Sequence, residues 1–310
     1  MNKKLTSVLV SLAAVLVFFL GIWLIGRTIN PSLDLDETAL LRFVFVGIGL
    51  LIVFVVYWLT RESKAWEVGT REVVYMAIGA ALYAILSYLF NGTVFVVPSV
   101  SQVALRPAIV IPMLFGYLFG PAVGLFTGAV GNMFGDALTG FGLSPQWSVG
   151  NGLIGMIAGM PMLFKDKKQS LTTVLWVSIG LVAVATAIYL LNQSIPNTLF
   201  YDVDNGIFGD APISLVAGLS VLIGLVLALV VWYIWRNDID LAAAVIWSML
   251  GNFLGLGFAA LSDIWINGYP PALAIVGEFI PAAGPNMIFA AILVPALLLA
   301  YRALQRQTGR

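Results

Sequence analysis

Long apolar runs separated by short polar stretches dominate the chain. Leu5 to Gly26 and Phe43 to Leu59 are nearly uninterrupted, and at about 1.5 Å of rise per residue each covers a hydrocarbon core of about 30 Å. Further runs extend over Val73–Phe90, Leu105–Phe119, Gly120–Leu138, Trp147–Phe164, Leu171–Leu191, Ile213–Trp235, Leu241–Leu261 and Gly284–Tyr301. The run from Leu105 is short and is expected to end inside the bilayer or at a tight turn. None alternates with the period of two that a barrel strand needs. The pattern predicts an all-α polytopic membrane helix bundle of about ten transmembrane helices, with almost no water-soluble domain.

Composition and charge sharpen that picture. Hydrophobic residues make up 61% of the chain and charged ones 10%, where a soluble domain carries about 25% charged residues. With both termini cytoplasmic, the inner face holds Lys3, Lys4, Arg61, Lys64, Arg71, Lys165, Lys167, Lys168, Arg236, Arg302, Arg306 and Arg310, which is 12 of the 15 Lys and Arg. The outer loops are then acidic, with Asp34, Asp36, Glu37, Asp202, Asp204, Asp210, Asp263 and Glu278. The inverted topology would reverse the positive-inside bias. The first run resembles a signal peptide, but it is long and no A-x-A site follows, so a retained helix is expected.

There is no cysteine and no histidine. Disulfides, thiol chemistry, the commonest general base and the commonest zinc ligand are therefore absent. No P-loop or H-E-x-x-H motif occurs, and no basic patch suggests nucleic acid. Neither enzymatic activity, a cofactor nor a metal is expected.

The chain divides by texture. Residues 1–64 form one plain Leu/Val/Phe hairpin and 165–238 another. The starts at Lys4–Leu9 and Ser170–Leu175 look alike, as do the ends at Val56–Arg61 and Val231–Arg236. Either this is an internal repeat of the kind common in transporters, or any two such hairpins would align as well. Residues 65–164 and 239–310 supply six further helices and nearly all the intramembrane Gly, Pro, Asn and Asp, so function is expected there.

Within that remainder, two helices meet at Phe119-Gly-Pro121, where Gly permits the turn and Pro starts the next helix. Gly120, Gly124, Gly128 and Asn132 recur every four residues, with Gly131 and Gly135 beside them. Small residues at that spacing let helix backbones approach closely. Asn132 and Asp136 share a face at the outer end of that helix, with Arg106 at similar depth. A charge in hydrocarbon costs about 2.5–3.5 kcal/mol or more, so an Arg106–Asp136 pair lining a cavity is one reading; ordinary helix-end charges at headgroup depth are the other. Trp147, Asn151, Gly155 and Gly159 repeat the four-residue spacing. Trp147 suits the aromatic belt as well as a site, whereas a buried Asn151 amide needs partners. Asn286, Trp265 and Tyr269 are expected near the same outer face, the two aromatics in a loop. The stretch Ala77-Ile-Gly-Ala-Ala81 is a small-x-x-x-small pattern favouring contact with another helix.

The run from Arg106 to Pro121, the glycine-rich helix ending at Asp136, and the stretch Trp147 to Gly152 together resemble the S component of energy-coupling-factor (ECF) transporters. The alanine pattern in Val73–Tyr88 and, more loosely, the helix from Gly284 share the resemblance. It implies a six-helix S-component-like core that captures a vitamin or related micronutrient outside the cell membrane and carries no ATPase. It also implies a transmembrane coupling subunit bearing two cytosolic ATPases as partners. Carried onto this chain, Ala77 and Ala81 would dock on the coupling subunit, residues 91–104 with Gln102 would form a gating loop, and Gln102, Arg106, Asn132, Asp136, Trp147 and Asn151 would border the cargo. The additional hairpins depart from the six-helix pattern. The alternative is a self-sufficient ion-coupled secondary transporter of a small molecule.

Overall fold

The structure is a computed structural model that describes residues 3–90, 106–140, 142–194, 200–202, 207–209 and 212–308. The helices are α1 (Lys3–Ile29), α2 (Ala39–Leu59), α3 (Thr70–Tyr88), α4 (Val110–Phe119), α5 (Pro121–Thr139), α6 (Pro145–Ala158), α7 (Lys167–Leu191), α8 (Leu215–Gly218), α9 (Ser220–Ile234), α10 (Ile239–Ile266), α11 (Pro271–Leu273) and α12 (Ile280–Gln307). Two short strands, β1 (Phe200–Asp202) and β2 (Ile207–Gly209), pair antiparallel between α7 and α8. Setting aside the single turns α8 and α11, ten helices remain among the described residues. Six spans are long and apolar enough to cross a membrane: Lys4–Ile29, Pro31–Leu59, Thr70–Tyr88, Lys167–Leu191, Ile239–Ile266 and Pro271–Gln307. The all-α polytopic bundle expected from the hydropathy pattern is what the chain forms.

Successive helices run up and down, so one end of the bundle holds the start of α1 and the end of α12, and the other holds the end of α3, the start of α4, the facing ends of α5 and α6, and the α10–α12 connection. These are called the terminal end and the far end. The outer helices turn apolar side chains outwards, among them Val17, Ile25, Leu51, Leu59, Trp176, Leu191, Val226 and Ile234. In water so much exposed apolar surface would drive association; in lipid it is the solvated face.

The core is α5, α6 and α10. Every residue from Pro121 to Met133 of α5 and from Leu241 to Phe253 of α10 is buried. Without a strong hydrophobic drive between helices in lipid, packing needs close backbone approach, and the glycines provide it. Side chains at Gly116 or Gly124 would collide with the Gly155 backbone, and one at Gly128 with the Asn151 backbone. Gly150 and Gly255 likewise bring α6 close to α10. Gly131 and Gly135 face Ala80, Tyr83 and Ser87 of α3 instead. The two small-residue rows of α5 thus serve two different neighbours. At the α4–α5 junction Gly120 has φ 107°, a conformation that disfavours any residue with a Cβ, and Pro121 opens α5 without needing a backbone donor.

Around this core α1 packs on α5, α2 on α6, α7 on α10, and α9 on α12. At the terminal end Arg302 of α12 bridges Asp238 at 2.6 Å and Asp240 at 3.4 Å. Lys167 reaches Asp240 at 2.8 Å, and the Tyr117 hydroxyl donates to it at 3.1 Å. This clamp ties α4, α7, α10 and α12 together. The Arg302 hydrogen bond holds the Asp238 carboxyl below its ordinary value.

Two boundaries differ from the hydropathy pattern. Helix α10 continues past Leu261 to Ile266, and a π-helical turn over Ala274–Phe279 leads into α12. Asp263 and Glu278, expected in outer loops, are therefore buried inside helical segments. Trp265 likewise belongs to α10 rather than to a loop. Charge had marked these positions as solvated, whereas for Asp263 donors on α6 replace the water.

A bulky residue at the tightest crossing should be costly. Gly155→Leu is expected to lower unfolding free energy in detergent by about 1–3 kcal/mol or more. Gly180→Ala on α7, where nothing lies within 4 Å, should be neutral or mildly stabilising. Equal losses at both positions would contradict this packing.

Candidate functional site

Two polar networks occupy the far end, on opposite faces of α6. The first joins α3, α5, α6 and the start of the α4 segment. Arg106 stands just before the turn Pro107–Ile109 that opens into α4. Its guanidinium Nη1 lies 3.0 Å from Asp136 Oδ1 and donates to Asn132 Oδ1 at 3.2 Å. The Tyr83 hydroxyl donates to the same Asn132 oxygen at 3.3 Å. Asn132 Nδ2 in turn donates to Asp136 Oδ2 at 2.9 Å and to Ser148 Oγ at 3.0 Å. An amide has two donors and two acceptor sites, and all four are spent here. Asn132 is therefore the hub that holds Arg106 and Asp136 in place. The spacing of Asn132 and Asp136 puts both on one face of α5, and Gly131 and Gly135 let α3 come close enough for Tyr83 to reach them.

The second network joins α2, α6 and α10. Asp263 is 1% exposed. It accepts from Trp147 Nε1 at 2.7 Å and from Gln146 Nε2 at 3.1 Å. Arg42 of α2 donates through Nη1 to Gln146 Oε1 at 3.3 Å and through Nε to Thr38 at 2.8 Å. The Glu278 carboxyl lies within hydrogen-bonding reach of Asp263.

The sequence-derived candidates divide between these networks. Arg106, Asn132 and Asp136 come together as one cluster. Trp147 sits in the second cluster, as a donor to Asp263. Asn151 is buried, but its amide donates back to the Trp147 carbonyl at 3.1 Å within α6, so it joins neither. Gln102 and the gating-loop stretch 91–104 fall in a segment, 91–105, outside the described residues. Ala77 and Ala81 lie on the exposed face of α3, with Val73, Val74, Ile78, Leu82 and Ile85, while Met76, Gly79, Ala80, Tyr83, Ala84 and Ser87 are buried on the other.

Tyr83, Ser148, Gln146 and Arg42 were missed by sequence reasoning. The neighbouring positions Gln146, Trp147 and Ser148 carried a signal, since three polar-capable residues opening a buried helix need partners. Among the described residues no group of three or more metal-ligating side chains exists. A cavity of about 920 Å³ lies at the opposite, terminal end, bordered by Lys4, Lys64, Arg71, Glu72, Tyr75 and Tyr301.

A polytopic α-helical membrane bundle with a glycine-packed core and polar clusters at one end is the class that fold and site define. Residues 67–205 match the family model described as "ECF-type riboflavin transporter, S component". The S-component resemblance carried by residues 72–164 is thus also what this comparison finds, and the matched stretch extends through α7. A UPF0397 protein of Vibrio atlanticus is 39% identical over 100 residues, 32% of this chain and 53% of the relative. UPF0397 proteins of Aliivibrio fischeri and Aliivibrio salmonicida are both 36% identical, over 105 and 102 residues; these cover 34% and 33% of this chain and 55% and 54% of the relatives. The chain spans about half the length of these curated relatives. No solved structure matches.

The first network predicts strong coupling. Removing one partner of a buried ion pair strands the other, so Asp136→Ala should cost about 2–4 kcal/mol of unfolding free energy. Arg106→Ala combined with Asp136→Ala should cost clearly less than the sum of the singles. Additive losses in this double-mutant cycle would mean that the pair is not coupled.

Proposed function

We propose that this chain is the substrate-capturing membrane subunit of an ATP-driven ECF-type importer. The observation that carries the reading is the division of α3 into two faces. One is welded to α5 through Gly131 and Gly135, and the other presents Ala77 and Ala81 outwards. Two alanines one helical turn apart, flanked by exposed Val74, Ile78, Leu82 and Ile85, leave a notch in an apolar face that suits close docking of another helix. The match over residues 67–205 to a family model described as an S component supports reading that docking partner as a coupling subunit bearing two cytosolic ATPases.

In this reading both termini are cytoplasmic, as the basic residues at the terminal end favour, and the far end faces outwards in the cell membrane. Cargo is a vitamin-like small molecule, of the riboflavin type if the name of the matched family carries over. Arg106 and Asp136 offer it charged donors and acceptors, with Asn132 positioning both. Trp147, which stands in the second cluster, Asn151 and Gln102 remain proposed lining residues. Residues 65–164 and 239–310 form the transporting core, with α10 taking the place beside α6. The hairpins of 1–64 and 165–238 brace it, the first against α5 and α6 and the second against α10 and α12.

A self-sufficient ion-coupled carrier is the second reading, favoured by the buried carboxyls of Asp263 and Glu278. The two part at the docking face. With the tagged chain expressed in its host, a coupling subunit and ATPases should co-purify, and an Ala77→Leu Ala81→Leu double variant should lose most of that recovery while folding normally. A chain that purifies alone and drives uptake into liposomes from an ion gradient without ATP would overturn the importer reading.

A further inference from the structure

The carboxyls of Asp263 and Glu278 are both buried, at 1% and 7% exposure, and lie within hydrogen-bonding reach of each other. Two bare carboxylates have no hydrogen to share, and like charges this close inside a protein disfavour joint ionisation. The surroundings settle which one keeps its charge. Asp263 accepts two side-chain hydrogen bonds, from Gln146 and Trp147, which favour its carboxylate. Glu278 Oε2 is buried with no hydrogen-bond partner, and an ionised oxygen there would be an unsolvated charge.

The groups around the pair do not cancel a second negative charge. Arg42 of α2 is the cation acting on both carboxyls, and it directs Nε and Nη1 to Thr38 and Gln146. Tyr269, after α10, is the other titratable group close to both, and Asp36 acts on Arg42. Gln146 and Trp147 of α6 do not titrate. On α7, the Tyr189 hydroxyl is turned to the Ser214 carbonyl at 3.4 Å, and the charged residues of α12, Arg302 and Arg306, lie at the terminal end.

We propose that Glu278 is a proton-binding site, holding one proton at neutral pH and donating it in a hydrogen bond to the Asp263 carboxylate. The proton neutralises the excess charge and supplies the hydrogen that the contact requires. Glu278 lies in the π-helical turn that leads into α12, whereas Asp263 belongs to α10. Movement of that turn away from α10 breaks the bond, and Glu278 then ionises and gives its proton to solvent. Rearrangement of the far end is thereby linked to uptake or release of a proton. The proposal stands apart from the importer reading, because it concerns the chain without cargo or partners.

Infrared spectroscopy of the full chain in lipid nanodiscs tests it. Of the five glutamates, Glu37, Glu62, Glu67, Glu72 and Glu278, only the last is buried, so ¹³C-glutamate labelling singles it out. The expected result is a label-shifted C=O stretch of a protonated carboxylic acid at neutral pH, absent from Glu278→Gln and lost as the pH is raised. Arg42→Gln should move that loss to higher pH by removing a cation, and Asp263→Asn to lower pH by removing a like charge. No acid band at neutral pH in the folded chain would overturn the proposal, as would a band that survives Glu278→Gln. If Glu278→Gln fails to fold, the other two variants decide: opposite displacements support the assignment, and no displacement overturns it.

Discussion

The backbone contact of Gly124 with Gly155 is the constraint on which the rest of the bundle depends. Lipid gives apolar side chains little reason to leave one another's company or to seek it. Helices are held by close approach, and approach is limited by whatever projects between them. With Gly116, Gly124 and Gly128 facing the α6 backbone, α5 and α6 come near enough for Asn132 to reach Ser148. With Gly150 against Gly255, α10 comes near enough to α6 for Asp263 to receive Gln146 and Trp147. Both polar clusters are consequences of spacing set by residues without side chains.

That dependence explains why the far end tolerates charge. Asp136 is buried among Arg106 and a saturated asparagine; Asp263 is buried among two donors and a distant guanidinium. In each case the desolvation that would expel a carboxylate is offset by hydrogen bonds from neighbouring helices. The terminal end uses a different arrangement. There Arg302, Lys167 and Tyr117 converge on two aspartates at the start of α10, close to bulk solvent and to the next turn of chain. One end is locked by half-exposed ion pairs, and the other is built from buried polar groups, most of them committed to a partner on a neighbouring helix, where a small displacement leaves something unpaired.

Much of this was legible in the sequence, and the rest was not for definite reasons. Hydropathy runs gave the helices, and four-residue spacing put Asn132 with Asp136 on one face. The same spacing could not say that Gly131 and Gly135 face α3 while Gly124 and Gly128 face α6, because periodicity defines a face and not what lies opposite. A buried Asn151 amide needs a partner, and periodicity could not say that the partner is the Trp147 carbonyl on its own helix. Asp263 looked solvated because its donors stand more than a hundred positions away along the chain. Arg42 sits in a hairpin whose plain sequence gave no hint that it reaches α6.

If the far end captures cargo, it must do so in this chain alone. The most direct measurement is to purify the chain without any partner, add riboflavin and related vitamins one at a time, and follow binding by calorimetry and native mass spectrometry. Saturable binding of one such molecule to the isolated chain is expected, with no requirement for ATP. Binding that appears only once a coupling subunit and ATPases are supplied would place the site elsewhere and contradict it.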